Sequence, residues 1–300
     1  MRTPEYKEDL GIPHRVPRWR DAPFISITDA YLQLELIFNY TTDIILTPGP
    51  DASFWDEVHI GLMSWQVGRL RRQLDKWEFH FKELILPQAG RDTIALKLLE
   101  LRLKLLRLIM RAKDFGTPNE LCWDSFTSEF LILVEDAKNI LVMRYNALSN
   151  GKTAPQRQQT ATFTITPMMK DALYIITRIC RDSRVRRRIA ALSDHDYYLS
   201  PDIDTPIYIA MARAIIEVEE TGWGLASRLE RLELSCACDE AAQFICDGHR
   251  VRCTCLEAAT GSHATLWVKT VYDVYNDRAW ARIQIQYGSY KPALVPLAEI

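Results

Sequence analysis

Apolar residues return at three- and four-residue steps through most of the chain and switch to every second residue near its end. The first spacing belongs to amphipathic helices, the second to half-buried strands. From Phe24, "SITDAYLQLELIFNYTTDIIL" predicts a helix opened by Ser26 and Asp29, a capping box with Asp in place of Glu. "TPGPDAS" (47–53) breaks the chain, and Ser53 is placed to cap a long helix through "WDEVHIGLMSWQVGRLRRQLDKWEFHFKELIL". After "PQAGRD", the segment "TIALKLLELRLKLLRLIMRAKDF" carries Ile94, Leu98, Leu101, Leu105 and Leu108 at helical spacing, with Leu99, Leu103 and Leu106 between them. So wide an apolar face predicts a helix covered from several sides. "DSFTSEFLILVEDAKNILVMRYNAL" predicts a fourth helix with a stripe of Phe126, Phe130, Leu133, Ala137 and Leu141.

"SNGKTAPQRQQTATFTITP" (149–167) is polar and aperiodic, a linker or exposed loop. Three more helices are expected near 168–180, 182–193 and 206–220. The last opens with Thr205 as cap and Pro206 at the first helical position, and carries Ile207, Met211, Ala214 and Val218 as its stripe. "TGWG" ends it. Farther on, "TLWVKTVYDVYNDRAWARIQIQY" alternates on both sides of a short turn at Asn276, Asp277 and Arg278, which predicts a β-hairpin. The expected fold class is mainly α, an antiparallel helical array with a small C-terminal β-hairpin element. Its parts would be a tail (1–23), a helical hairpin stack (24–148), the linker (149–167), a second helical part (168–228) and a strand and hairpin element (229–300), with 24–290 forming one continuous domain.

Composition adds little direction and several exclusions. With 300 residues, 48% hydrophobic, 25% charged and a formal net charge of -2, the chain is an ordinary globular one, without the basic excess of a nucleic-acid coat. No apolar run reaches the ~18 residues of a membrane span, and the N-terminus lacks the apolar core of a signal peptide. The expected setting is intracellular, where cysteines are thiols or metal ligands.

Five of the seven cysteines fall in "SCACDEAAQFICDGHRVRCTC" (235–255), spaced Cys-x-Cys-x7-Cys-x6-Cys-x-Cys around His249. Structural zinc sites favour Cys-x2-Cys knuckles, whose amides can point at thiolates that share a metal. On strands, Cys236 with Cys238, and Cys253 with Cys255, share a face as small hydrophobes. The second arrangement is favoured over a metal site, and a disulfide is the least favoured.

No H-E-x-x-H pair, Gly-rich phosphate loop or G-x-S-x-G elbow is present, so no catalytic residue, metal or cofactor is assigned. His195 between Asp194 and Asp196 reads as part of a solvated loop, because adjacent positions diverge in direction. The eight tryptophans, Trp65, Trp77, Trp123 and Trp280 among them, read as core aromatics. "RICRDSRVRRR" concentrates Arg178, Arg181, Arg184, Arg186, Arg187 and Arg188. As a surface patch it would bind phosphate or direct nuclear import. At a helix junction the same arginines would bond carbonyls and neighbouring acids such as Asp182, and this second role is favoured.

"LYIITRICRDSRVRRRIAAL" (173–192) and "ARAIIEVEETG" (212–222) resemble the C-terminal regulatory region of fungal zinc-cluster transcription factors, the fungal-specific transcription factor domain. In that family a helix ending in Cys-Arg-Asp is followed by paired arginines opening the next helix, and a later helix ends in Glu-Glu. The matching positions are Cys180, Arg181, Asp182, Arg186 and Arg187. "ITDAYLQLELIF" and "LRRQLDKWEFHFKEL", with Trp77, Phe79 and Phe81, are similar to the region's early helices. The family's Arg-Glu-Gly-x-Trp segment is replaced by "DHDYYLSPDID", and the first cysteine is Cys122, so the six-cysteine DNA-reading cluster is absent ahead of the helices. The resemblance implies a nuclear, non-enzymatic regulator of transcription that contacts no DNA sequence directly and no membrane. It would act through a protein partner or a small apolar effector held between helices. The alternatives are a ligand-binding protein or enzyme that reuses the helical body, a cytoplasmic setting, and a shortened gene model of a full factor.

If the 236–255 thiols serve strands, elemental analysis finds no stoichiometric zinc and chelation leaves the far-UV circular dichroism unchanged. A structural zinc contributes on the order of 10 kcal/mol to a small domain, so loss of both metal and helix signal on chelation would reverse the assignment.

Overall fold

The computed structural model describes residues 21–45, 57–86, 93–112, 120–150, 167–199, 205–221, 245, 247–257, 263–271, 273 and 278–287. The tail before residue 21, the 47–53 break with its Ser53 cap, the "TGWG" stop after Thr221, Cys236, Cys238, Cys246 and the turn residues Asn276 and Asp277 lie outside them, as does most of the 149–167 segment. The fold is mainly α, an antiparallel helical array with a small β element near the C-terminus. Two compact units divide it, Met1–Pro118 and Asn119–Ile300.

The first unit holds α1 (Ile27–Ile45), α2 (Glu57–Ile85) and α3 (Ile94–Ala112). Asp29 N donates to Ser26 Oγ at 3.1 Å, while the Asp29 carboxylate accepts from Ile25 N at 3.3 Å. The capping box therefore forms, closing one residue earlier than the ideal pattern. α1 and α2 run antiparallel: Trp77 Nε1 donates to Ala30 O at 2.8 Å, and Trp77 stacks on Phe81 with ring centroids 4.6 Å apart. α3 is capped by Thr93, whose Oγ1 accepts from Leu96 N at 3.2 Å. Leu98, Leu99, Leu101, Leu105, Leu106 and Leu108 are all buried on it, as the wide apolar face requires.

Arg102 also lies inside α3. Its guanidinium is fully buried, donates to both Glu35 oxygens at 2.7 and 2.9 Å, and sits 3.2 Å from the Phe38 ring centroid. A bidentate fork with an aromatic face is an arrangement arginine satisfies and lysine does not. Trp77 is buried as expected; Trp65 is 54% exposed and carries Arg69 over its ring.

The second unit opens with a 3-10 turn, Glu120–Phe126, followed by α4 (Thr127–Asn150), α5 (Pro167–Ile179), α6 (Ser183–Leu199) and α7 (Thr205–Thr221). Cys122 sits in this 3-10 helix, ahead of α4. The predicted α4 stripe is buried throughout, but α4 packs on α6 and belongs to this unit, so the expected four-helix stack stops at three. α6 runs past its expected end at 193 because Asp194 and Asp196 are held by arginines instead of facing water.

Three strands, β1 (Val251–Glu257), β2 (His263–Thr270) and β3 (Ala281–Gln286), form an antiparallel sheet in that order. Ala264, Leu266, Val268, Ile283 and Ile285 line one face and pack on Met211, Ala214, Ile215 and Val218 of α7. The hairpin pairs as the alternation predicts, with Leu266 opposite Ile283. Its strands stop sooner, because Asp273 accepts from Thr270 N (3.1 Å) and Thr270 Oγ1 (2.9 Å), closing β2 ahead of the expected 276–278 turn. A register shift between Val251 and Cys253 alters the face of β1. Cys255 is paired with Trp267, is half-buried and lies off the core side, whereas the side chain of Cys253 lies outside the described ones.

Replacement of Leu105 by Ala, at a fully buried α3 position, is expected to destabilise by roughly 2–5 kcal/mol in denaturant titrations. A variant that melts like the parent would mean the site collapses to fill the cavity.

Candidate functional site

The α5–α6 junction is two helices that meet across three residues. Ile179 ends α5 and Ser183 starts α6, so Cys180, Arg181 and Asp182 make the whole turn. Asp182 is the N-cap: its Oδ1 accepts from Arg184 N at 2.9 Å and Val185 N at 3.3 Å, and its carbonyl accepts the first helical bond from Arg186 N at 3.1 Å. A negative charge at a helix start is stabilised there, which accounts for a buried carboxylate.

Arg181 turns the other way. Its Nε donates to Ile245 O at 2.7 Å and its Nη1 to Asp124 at 3.0 Å, while Ile245 N returns a bond to Arg181 O at 3.1 Å. One arginine thus ties the junction to residues more than fifty positions away on both sides. Cys180 is packed beneath, and burial pushes its thiol pKa up to about 12. A thiol held protonated is a poor nucleophile.

The centre of the unit is a carboxylate shared by two arginines. Glu219, near the end of α7, places its Oε2 2.5 Å from Arg186 Nη2 and 2.9 Å from Arg250 Nη1. Its Oε1 accepts from Val251 N at 2.6 Å. Arg250 also donates to the Arg178 carbonyl at the end of α5. The three side chains are within 2% of complete burial. The contact from Arg186 to Glu219 is an ion pair outside hydrogen-bond geometry, and Arg186 Nε and Nη1 meet no acceptor among the described residues.

Burial pulls the Arg186 pKa below its ordinary value; Glu219 and Glu220 oppose that shift, and Arg250 adds to it. Burial likewise lowers His249, partly offset by Glu219. This cluster has a saturated carboxylate and a protonated thiol, so it joins elements rather than moving protons. Removing one member of such a cluster leaves uncompensated charge in a low dielectric.

Of the five motif positions, Cys180, Arg181, Asp182 and Arg186 are buried in one continuous network, while Arg187 lies on the surface and pairs with Glu220 at 3.0 Å. The arginine run is split: Arg181 and Arg186 point inward, Arg184, Arg187 and Arg188 outward. Asp194 and Asp196, expected in a solvated loop beside His195, are buried on α6. They pair with Arg213 (2.5 Å) and with Arg144, so their carboxylates are engaged away from any shared site with His195.

The Glu-Glu helix end of the resemblance falls on Glu219 and Glu220, but the sequence reading assigns no role to Glu219 and does not single out Arg250. A signal exists for the first, an acid four residues after Ile215 on the apolar side of α7. For Arg250 there is none, since its role depends on where residue 250 returns in space. Among the described residues no three His, Cys, Asp or Glu side chains converge as a metal site, and no helix is long and apolar enough to cross a membrane.

A shallow cleft lies between α5, α6 and α7, bordered by Lys170, Tyr174, Ser193, Tyr208 and Ala212. It holds about 270 Å³, solvent at its mouth included. Enclosed ligand sites run from about 300 to 1,000 Å³, so this cleft is small for an apolar effector.

Neutralising the shared carboxylate by Glu219→Gln is expected to destabilise by about 3–5 kcal/mol, because two buried guanidinium groups then face each other. Arg187→Ala, which breaks the exposed pair to Glu220, is expected to cost under about 1 kcal/mol. Urea titrations of both variants check the contrast; equal costs would remove Glu219 from its central place.

No family model, curated protein or solved structure matches the chain.

Proposed function

We propose that these residues form the regulatory portion of a transcription regulator of the zinc-cluster type, working in the nucleus through a protein partner. What supports this most is the Cys180-Arg181-Asp182 turn followed by Arg186 and Arg187. The resemblance implies a helix junction there, and these residues form a three-residue junction in which each side chain has a defined place.

A protein partner is preferred to a small effector because several large apolar side chains stand exposed on helices. The role is non-catalytic and needs no metal or cofactor. With a formal net charge of -2 the chain has no overall basic excess for phosphate contacts, so the partner would supply the contact with DNA.

The test is to tether the full chain to an unrelated DNA-binding module beside a reporter gene. Severalfold activation or repression relative to the module alone is expected, and Arg187→Ala, which leaves the core intact, reports whether the exposed motif arginine takes part. A well-expressed nuclear fusion that leaves the reporter unchanged would overturn the proposal.

A further inference from the structure

α4 carries two arcs of different character. Phe130, Leu133, Val134, Ala137, Ile140 and Leu141 face the core of the second unit and are at most 2% exposed. Beside them runs a second stripe at steps of three and four: Ser128, Leu131, Glu135, Lys138, Val142 and Tyr145. Leu131, Val142 and Tyr145 are 39%, 36% and 53% exposed, and Ile132 on the flank is 54% exposed. Such spacing is the seam of a helix pair.

We propose that this stripe is a self-docking surface through which two copies of the chain pair, α4 against α4, in antiparallel orientation. The spacing of the stripe is symmetric about its midpoint, between Asp136 and Ala137. Turned end for end on a second copy, Leu131 meets Val142, Ser128 meets Tyr145, and Glu135 meets Lys138. Every contact occurs twice, as a two-fold interface demands. The charges select both the occupant and the direction. A parallel pair would stack Glu135 on Glu135 and Lys138 on Lys138, whereas the antiparallel pair makes two opposite-charge contacts between apolar ones. Neither Glu135 nor Lys138 has a hydrogen-bond or ion-pair partner among the described residues, so both are available.

The stripe spans roughly 26 Å at 1.5 Å per residue. One helix pair of that length buries less than the ~800 Å² per partner of a standard interface, so a weak dimer is expected, with Kd of about 1–100 µM. This inference stands apart from the transcriptional role, and neither result decides the other.

Sedimentation of the full chain over a concentration series is the test, with Glu135→Lys, Lys138→Glu and the double swap. The parent is expected to dimerise. Each single swap, which places two like-charge contacts in the seam, is expected to weaken association at least about tenfold. The double swap restores it. An equimolar mixture of the two single variants also restores it, since an all-lysine seam then meets an all-glutamate seam. These positions are on the helix surface and all substitutions are good helix formers, so circular dichroism and melting should match the parent. A parent that stays monomeric at about 300 µM, well above that Kd range, overturns the proposal. So does a dimer indifferent to the single swaps, or one that neither the double swap nor the mixture rescues.

Discussion

Glu219 decides how the second unit is put together. It stands on α7, yet receives Arg186 from α6, Arg250 from the approach to the sheet, and the backbone of Val251 at the first residue of β1. Apolar packing could hold α7 on the sheet in several neighbouring registers, because Met211, Ala214, Ile215 and Val218 offer a smooth face. A buried carboxylate that must satisfy both oxygens tolerates only one. Burial of the ions is costly, and an apolar substitute of the same shape can be as stable or more so. What the cluster contributes is uniqueness: the helix junction, the last turn of α7 and the start of β1 meet at one place.

The first unit uses a related device with a different outcome. Arg102 is enclosed among leucines on α3, and Glu35 on α1 answers it from a partly exposed position. There one arginine meets one carboxylate and an aromatic face, so the charge is balanced locally and solvent shares in it. Around Glu219 two guanidinium groups share one carboxylate; burial weakens the hold of Arg186 on its proton, and the neighbouring Arg250 charge adds to that. The planar, delocalised group is suited to such sites; a lysine ammonium, more strongly hydrated, would lose its proton sooner.

The helices were legible in the sequence because their information is local. Ser26 and Asp29, Thr93, and the stripe from Phe126 to Leu141 each act within a few residues, and the structure uses them as the pattern indicates. Misreadings occur where a distant partner changes the meaning of a residue. "DHD" looks like a loop until Arg213 and Arg144 take its carboxylates into α6. Cys255 on β1 looks like a core residue until one register shift after Val251 places it on the other face. The α5–α6 junction was foreseen from the motif, but its dependence on Glu219 and Arg250 was not, since neither spacing nor composition brings residues 186, 219 and 250 together.

α4 shows how the same core can serve an outward role. A surface helix that docks on another molecule normally loses conformational freedom in doing so, and that loss weakens binding. α4 has already lost it: six apolar residues fix its inner arc, and Arg144 anchors its far end to Asp196 on α6. The outer stripe is therefore presented at fixed height and angle, with only the side chains of Glu135, Lys138 and Tyr145 left to order on contact. Rigidity that the interior requires for its own packing is also what allows so short a stripe to distinguish one orientation of a partner from its reverse.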